Sequence, residues 1–303
     1  MRTRTDGATE ATAEAEASAV AEAVSREREL MAPEVPTSKA RAERLTAAAL
    51  ATARWPSADC PDVDWLRELS DDDGLTGFMP PPLPDAAWVL HPMYAHELGP
   101  FDMTYVEYRR AVLMGGGPEI IPGLDPAEVV DGDPGERPGP RWHRVRWQEL
   151  ARRTGDPVVP EGSPPYLDSF PSTGQSRWPV GVTSPREGSM DRASWNRLVE
   201  ILTAHSATGP AARCLAYYNP LLLAAEDFDN LHVRAGALAD AKVLYEHPEE
   251  DGWSPSNLWA EDHSWVVCTD YDLMATKVAG PVPLIEALLG DTEIEAVRLP
   301  WSS

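Results

Sequence analysis

The clearest pattern along the chain is a stripe of apolar residues with helical spacing in the segment Ser189–Ser206. Trp195, Leu198 and Leu202 recur three or four residues apart, behind a start that contains serine and aspartate. This spacing is typical of an amphipathic helix, and the polar start is typical of its N-terminal cap. The sequence therefore predicts a helix here that packs one face against a core.

Three shorter segments also carry helix signals. Thr104–Met114 opens with a threonine and has Glu107 three residues later, which is the spacing of a capping box, and a run of glycines follows it. Trp142–Arg153 reads as a strand that passes into a helix. Pro281–Leu289 begins with proline and is followed by Gly290, the favoured order of these two residues around a helix.

Alternating and β-rich runs predict strands in the last third of the chain. Arg213–Tyr218 alternates and stops at an Asn-Pro pair, and Glu293–Leu299 alternates again near the end. Ser264–Asp270 and Leu273–Val278 meet at Tyr271 and its following aspartate, and this arrangement predicts a hairpin.

These elements predict an α+β fold with a mainly antiparallel sheet, helices on one face and long Pro-rich loops. The 30 prolines of the 303-residue chain support the loops. We divide the chain into a disordered or loosely helical tail at 1–45, an irregular Pro-rich region at 46–185 and an α+β C-terminal domain at 186–303. The tail is rich in Ala, Glu and Arg and has no aromatic residue to bury.

The charge balance excludes several classes of partner. The chain carries a formal net charge of -23 at pH 7, so it repels nucleic acid and anionic membrane surfaces and attracts positively charged proteins. The only apolar stretch near the N-terminus is interrupted by Glu14, Glu16 and Glu22, so no signal peptide or membrane helix is predicted. We therefore expect a cytoplasmic protein that binds a basic protein partner.

Motifs for cofactors and metals are missing from the sequence. Cys60, Cys214 and Cys268 are odd in number and far apart, which fits neither a disulfide framework nor a metal knuckle. His91 and His96 lack the spacing of helical metal ligands, and a proline follows His91. Phosphate-binding glycine loops and a hydrolase serine elbow are also absent from the sequence. We predict no cofactor and no metal.

The C-terminal third offers a candidate surface for a protein partner. Trp253 and Trp259 belong to a cluster of tryptophans in a chain that has eleven of them, and Asp262, Asp270 and Asp272 supply acidic side chains nearby. Aromatic anchors beside negative charge suit a cationic partner. These five residues are the predicted partner-binding set of a non-enzymatic binding module, which we favour over an enzyme.

A hydrolase is the alternative hypothesis. Asp262, His263 and Asp270 flank the predicted strand, and they would serve as acid/base or metal-assisted catalytic groups, with His91 or His96 joining from the first half of the chain. A simpler interpretation is that Asp262 and His263 belong to a turn that enters the strand, and that Asp270 lies on a hairpin.

The last third of the chain also resembles a group of uncharacterised proteins from high-GC bacteria. The resemblance rests on a tryptophan-flanked strand, on the T-D-Y-D-L hairpin at Thr269–Leu273 and on the T-K-V-x-G ending at Thr276–Gly280. It implies no particular activity. In general character the chain is similar to immunity proteins, which neutralise secreted toxins through complementary charge.

Overall fold

The structure is a computed structural model of the protein, and it describes residues 52–58, 83–114, 120–124, 129, 136–158, 178–219, 232–246 and 253–299. The predicted tail at 1–45 lies outside the described residues. The described chain forms a seven-stranded antiparallel sheet and a separate two-stranded sheet, packed with four α-helices. The mainly antiparallel α+β fold that the sequence predicts is therefore confirmed.

Nine strands are numbered here in chain order. The large sheet has the order β5-β4-β6-β7-β8-β1-β9, and β2 pairs with β3 in the small sheet. Every pairing is antiparallel. The strands are β1 (Asp85–Leu90), β2 (Met93–His96), β3 (Trp142–Val145), β4 (Arg213–Tyr218), β5 (His232–Ala237), β6 (Asn257–Ala260), β7 (Val266–Cys268), β8 (Ala275–Gly280) and β9 (Glu295–Arg298).

The helices begin and end close to the positions that the sequence predicts. In α1 the predicted capping box between Thr104 and Glu107 is present, and α3 begins after Asp191, whose carboxylate accepts a hydrogen bond from the Ser194 amide. Two 3-10 segments occupy Gly209–Ala211 and Leu238–Glu246. The α-helices are α1 (Tyr105–Leu113), α2 (Trp147–Thr154), α3 (Arg192–His205) and α4 (Val282–Leu289).

Strand β1 joins the two halves of the chain in one sheet. It lies between β8 and β9, so that Trp88 is opposite Lys277 on one side and Val297 on the other. The boundary that we drew between residues 185 and 186 therefore does not separate two sheets, because a strand from the Pro-rich region is an internal strand of the C-terminal one.

The main hydrophobic core covers one face of the large sheet, here called the helical face. Leu198 and Leu202 of α3 and Leu284 and Leu288 of α4 pack with sheet residues such as Val267. The 3-10 segment that follows β5 adds further apolar side chains to the same cluster. Burying this stripe is what makes α3 and α4 stable, since isolated helices of their length are marginal in water.

The opposite face of the sheet carries two smaller apolar clusters. Near β1, Trp88 and Leu90 pack with Met93 of the small sheet and with Trp147 and Leu150 of α2. The second cluster lies on the far strands, and its buried members are Ala86, Leu215, Tyr217, Val233, Ala235, Trp259, Val266 and Ala279. Strands β1, β4, β6, β7 and β8 are thus covered on both faces.

A carboxylate from β9 caps α2. Glu295 accepts hydrogen bonds from the amides of Trp147 (2.7 Å) and Gln148 (3.1 Å), while the helix's own N-cap residue, Arg146, makes no side-chain cap. The Glu295 side chain is almost completely buried. A negative charge at this position also interacts favourably with the positive end of the helix dipole. Sequence-distant residues therefore satisfy the first amides of α2.

Candidate functional site

The predicted partner-binding residues divide into a buried pair and an accessible group. Trp259 and Asp270 have no exposed surface, so neither contributes to a docking surface, which corrects that part of the sequence prediction. Trp259 is buried because it lies on the covered opposite face of β6. Trp253 is partly exposed, and Asp262 and Asp272 are exposed.

Trp253 lies at one end of the sheet, where three segments meet. The Arg186 guanidinium lies over its ring at 3.9 Å from the centroid. Gly188 packs between this ring and the backbone of Tyr271, because a Cβ atom at that glycine would come within 3.2 Å of Trp253 and 3.0 Å of Tyr271. The Gly188 amide also donates to the Leu273 carbonyl at 2.9 Å. We call Arg186, Glu187, Trp253, Tyr271 and Asp272 the Trp253 surface.

The electrostatics of the Trp253 surface are dominated by two neighbouring carboxylates. Burial raises the pKa of Glu187, and the negative charge of Asp272 raises it further. The same Asp272 charge is the main cause of the raised pKa of the Tyr271 hydroxyl. A like-charge pair of this kind favours the approach of a cation, which relieves the repulsion. The aromatic ring of Trp253 provides a second attraction for a cation, already occupied by Arg186.

A buried chain of hydrogen bonds supports the Trp253 surface from behind. His91 Nδ1 lies 2.5 Å from the Arg186 carbonyl oxygen, and Nε2 lies 3.0 Å from Thr276 Oγ1. Because a carbonyl oxygen only accepts, Nδ1 carries the proton and Nε2 accepts from Thr276. Thr269 Oγ1 is 2.6 Å from Thr276 Oγ1, and it donates to Thr276. The hydrogen bonds thus run in one direction, from Thr269 through Thr276 and His91 to the Arg186 carbonyl. Burial lowers the pKa of His91 to about 4.

Further buried contacts hold the segment between residue 183 and α3 on the sheet end. Tyr94 donates its hydroxyl hydrogen bond to the Asp191 carboxylate that caps α3. The Ser189 hydroxyl lies 3.1 Å from the Ser254 hydroxyl and accepts from the Ser254 amide at 2.8 Å. Since Ser254 directly follows Trp253, these bonds fix the position of that tryptophan relative to Arg186.

The residues of the alternative hydrolase hypothesis lie at the two ends of one strand. Asp262 and His263 form the turn between β6 and β7, where the Asp262 carboxylate accepts from the Ser264 amide at 3.0 Å. A hydrogen bond with the Ser264 side chain is the main cause of the lowered pKa of Asp262, and the bond from the Ser264 amide lowers it further. Asp270 lies beyond the other end of β7 and is fully buried. The structure therefore does not bring these three side chains together.

The two histidines from the first half of the chain are also separate. His91 lies in the hydrogen-bonded chain described above, whereas His96 packs edge-on against Trp142 with the ring centroids 5.3 Å apart. In the ranges of the chain that the structure describes, no group of three or more His, Cys, Asp or Glu side chains could hold a metal ion.

Arg186 and Glu187 are the members of the Trp253 surface that sequence reasoning missed. They lie in a loop, and no periodic pattern marks them. The available signal was the Gly188 that follows, since glycine is favoured where the backbone adopts a positive φ or approaches another segment closely. Its φ of 72° confirms a conformation that other residues rarely adopt.

Comparison with known proteins adds no assignment. No protein-family model, curated protein or solved structure matches the chain. The resemblance to proteins of high-GC bacteria therefore stays a prediction. Among the helices of the described segments, none has both the length and the apolar character needed to cross a membrane.

Proposed function

We propose that the protein is a cytoplasmic, non-enzymatic binding module that docks a basic protein through the Trp253 surface, in the manner of an immunity protein. The observation that carries the proposal is the pair of mutually repelling carboxylates, Glu187 and Asp272, beside the partly exposed Trp253 ring. Arginine and lysine side chains of a partner suit the carboxylates, and the ring offers their apolar stems a contact.

The charge of the whole chain supports the same class of partner. A net charge of -23 steers basic proteins toward the molecule and accelerates their encounter at low salt. The rigid support of Trp253 by Ser254 and Gly188 lowers the entropy cost of using this ring as an anchor. Long-range steering by the whole chain and a local anchor at Trp253 therefore favour the same class of partner.

Affinity capture from the native host, at low and at moderate salt, tests the proposal. We expect the tagged wild type to retain one stoichiometric basic protein at low salt. The E187Q/D272N double variant and the W253A variant should lose it, because they remove the charge pair and the anchor respectively. Thermal unfolding of each variant checks that the fold persists.

Asp262→Asn provides the matched control. It removes one exposed carboxylate, as D272N does, but at the opposite end of β7. We expect D262N to retain the partner. If D262N loses the partner and the double variant retains it, the docking surface lies at the Asp262 end of the sheet instead. Capture of no stoichiometric basic protein at either salt concentration would contradict the proposed function itself.

A further inference from the structure

A polar strip crosses the otherwise apolar opposite face of the sheet. Asn257, Cys268 and Lys277 are direct neighbours on β6, β7 and β8, because Asn257 pairs with Cys268 and Cys268 pairs with Lys277. Directly opposed side chains on adjacent strands lie about 5 Å apart at Cβ. The strip is flanked by Tyr217 at one end and by Trp88 at the other. It therefore separates the two apolar clusters of that face.

Lys277 is an unusual residue for an internal strand. Its side chain is only partly exposed, and it forms no ion pair or hydrogen bond with any residue of the described ranges. Burial lowers its pKa, which increases the share of uncharged amine at neutral pH. A partly covered lysine without a carboxylate partner costs stability. The uncharged amine is the form in which a lysine acts as a nucleophile.

The cysteine beside it is not the competing nucleophile. Burial raises the pKa of the Cys268 thiol to about 12, so at neutral pH the thiol keeps its proton and lacks the reactive thiolate form. Cys268 also has no exposed surface. The one nucleophile of the strip that solvent reaches is therefore the amine of Lys277.

We propose that Lys277 is a reactive amine that binds a small uncharged aldehyde or ketone as an imine. The amine nitrogen adds to the carbonyl carbon, its two hydrogens are transferred in turn to the carbonyl oxygen, and that oxygen leaves as water while the C=N bond forms. No oxidant or reductant is needed. An uncharged carbonyl compound is favoured over an anionic one because the chain carries a net charge of -23, and Trp88 supplies an apolar neighbour.

The chain is well suited to a direct test because it contains three lysines, Lys39, Lys242 and Lys277. Lys242 is the matched internal reference: its side chain is 43% exposed, and its amine forms an ion pair with the Glu200 carboxylate at 2.6 Å. The probe is propionaldehyde with sodium cyanoborohydride, which reduces any imine to a stable secondary amine. Peptide mass mapping at short times reports the extent of labelling at each lysine.

We expect severalfold more label on Lys277 than on Lys242 in the folded protein at neutral pH, and equal labelling of the two in denaturant. The K277R variant keeps the positive charge and should lose the fast label without losing its secondary structure. Labelling of Lys277 that is equal to or slower than that of Lys242 in the folded protein would overturn the proposal.

Discussion

The buried His91 makes the stability of the fold depend on pH in a way that can be isolated by one substitution. Its imidazole is fully buried and neutral, and its pKa is lowered from 6.5 to about 4, mainly by burial. Because the folded pKa is the lower one, the unfolded chain binds this proton more tightly. The contribution of His91 to stability is therefore complete above pH 6.5 and is lost as the pH falls toward 4.

The size of the effect follows from the difference between the two pKa values. At about 1.4 kcal/mol per pKa unit, the full loss is about 3 kcal/mol. The isoelectric point of the chain is about 4.6, and proteins associate near that pH because their net charge vanishes. Measurements should therefore stop above it. Between about pH 7 and about pH 5.3, His91 alone should lower the free energy of unfolding by about 1.5 kcal/mol.

Urea unfolding of the wild type and of H91N at these two pH values measures the effect. Asparagine keeps a donor that can reach the Arg186 carbonyl but does not titrate. We expect H91N to be less stable at neutral pH, because packing and the bond to Thr276 are lost, and to show a weaker dependence on pH. For each protein we compare the free energy of unfolding at the two pH values. The difference between the two proteins in this pH dependence reports His91, because the carboxylates titrate alike in both.

His143→Asn is the matched control. It removes an imidazole from the exposed position on β3, so it controls for the loss of a histidine as such. The reasoning fails if H91N retains the full pH dependence of the wild type, or if H143N loses as much of it as H91N does. The first result would mean that the His91 proton is bound alike in the folded and unfolded chains, and the second would mean that the pH dependence does not come from the burial of His91 in particular.

Three further substitutions test packing and capping by urea unfolding. G188A should cost about 2 kcal/mol, because an alanine there has both a strained φ and a Cβ at 3.0 Å from the Tyr271 backbone. The control G155A, with the same sign of φ and nothing within 4 Å of its Cβ, should cost only about 1 kcal/mol. Equal costs would refute the contact with Tyr271. E295Q should cost about 1 kcal/mol, because it weakens the cap of α2. Glu293 is exposed, so the control E293Q should cost less than about 0.5 kcal/mol. An E295Q cost no larger than that of E293Q would argue against the cap. G181A should cost about 2 kcal/mol or more, since its Cβ would lie 2.2 Å from the Cα of Gly99, and a neutral result would mean that the two backbones can separate freely.

The fold could be predicted from the sequence wherever a β-rich run ends at a clear turn signal. Strand β4 at Arg213–Tyr218 and the hairpin of β7 and β8 were predicted with nearly the observed bounds. Strand β1 was missed because it begins with an aspartate and two alanines, which are depleted in strands, directly after a Pro-rich run. β6 was missed because it has only four residues and begins with asparagine and ends with alanine.

The candidate site could be predicted only as residue types in a region. Trp259 and Asp270 resemble surface anchors in the sequence, but strand direction and the cover of the opposite face bury both of them. The bond from the Gly188 amide to the Leu273 carbonyl holds the loop of Arg186 and Glu187 beside the loop of Tyr271. Such a tertiary contact leaves no local pattern, so sequence reasoning could not connect these loops.

The central place of β1 has a consequence for synthesis of the chain. Its six residues are synthesised long before both strands that flank it, which belong to the last thirty residues of the described chain. Until those strands emerge, neither partner of β1 is present, and an apolar β-forming segment in that state is prone to aggregate. Synthesis of β8 and β9 is therefore the event that protects this segment. A message truncated before β8 yields an aggregation hazard instead of a smaller working protein.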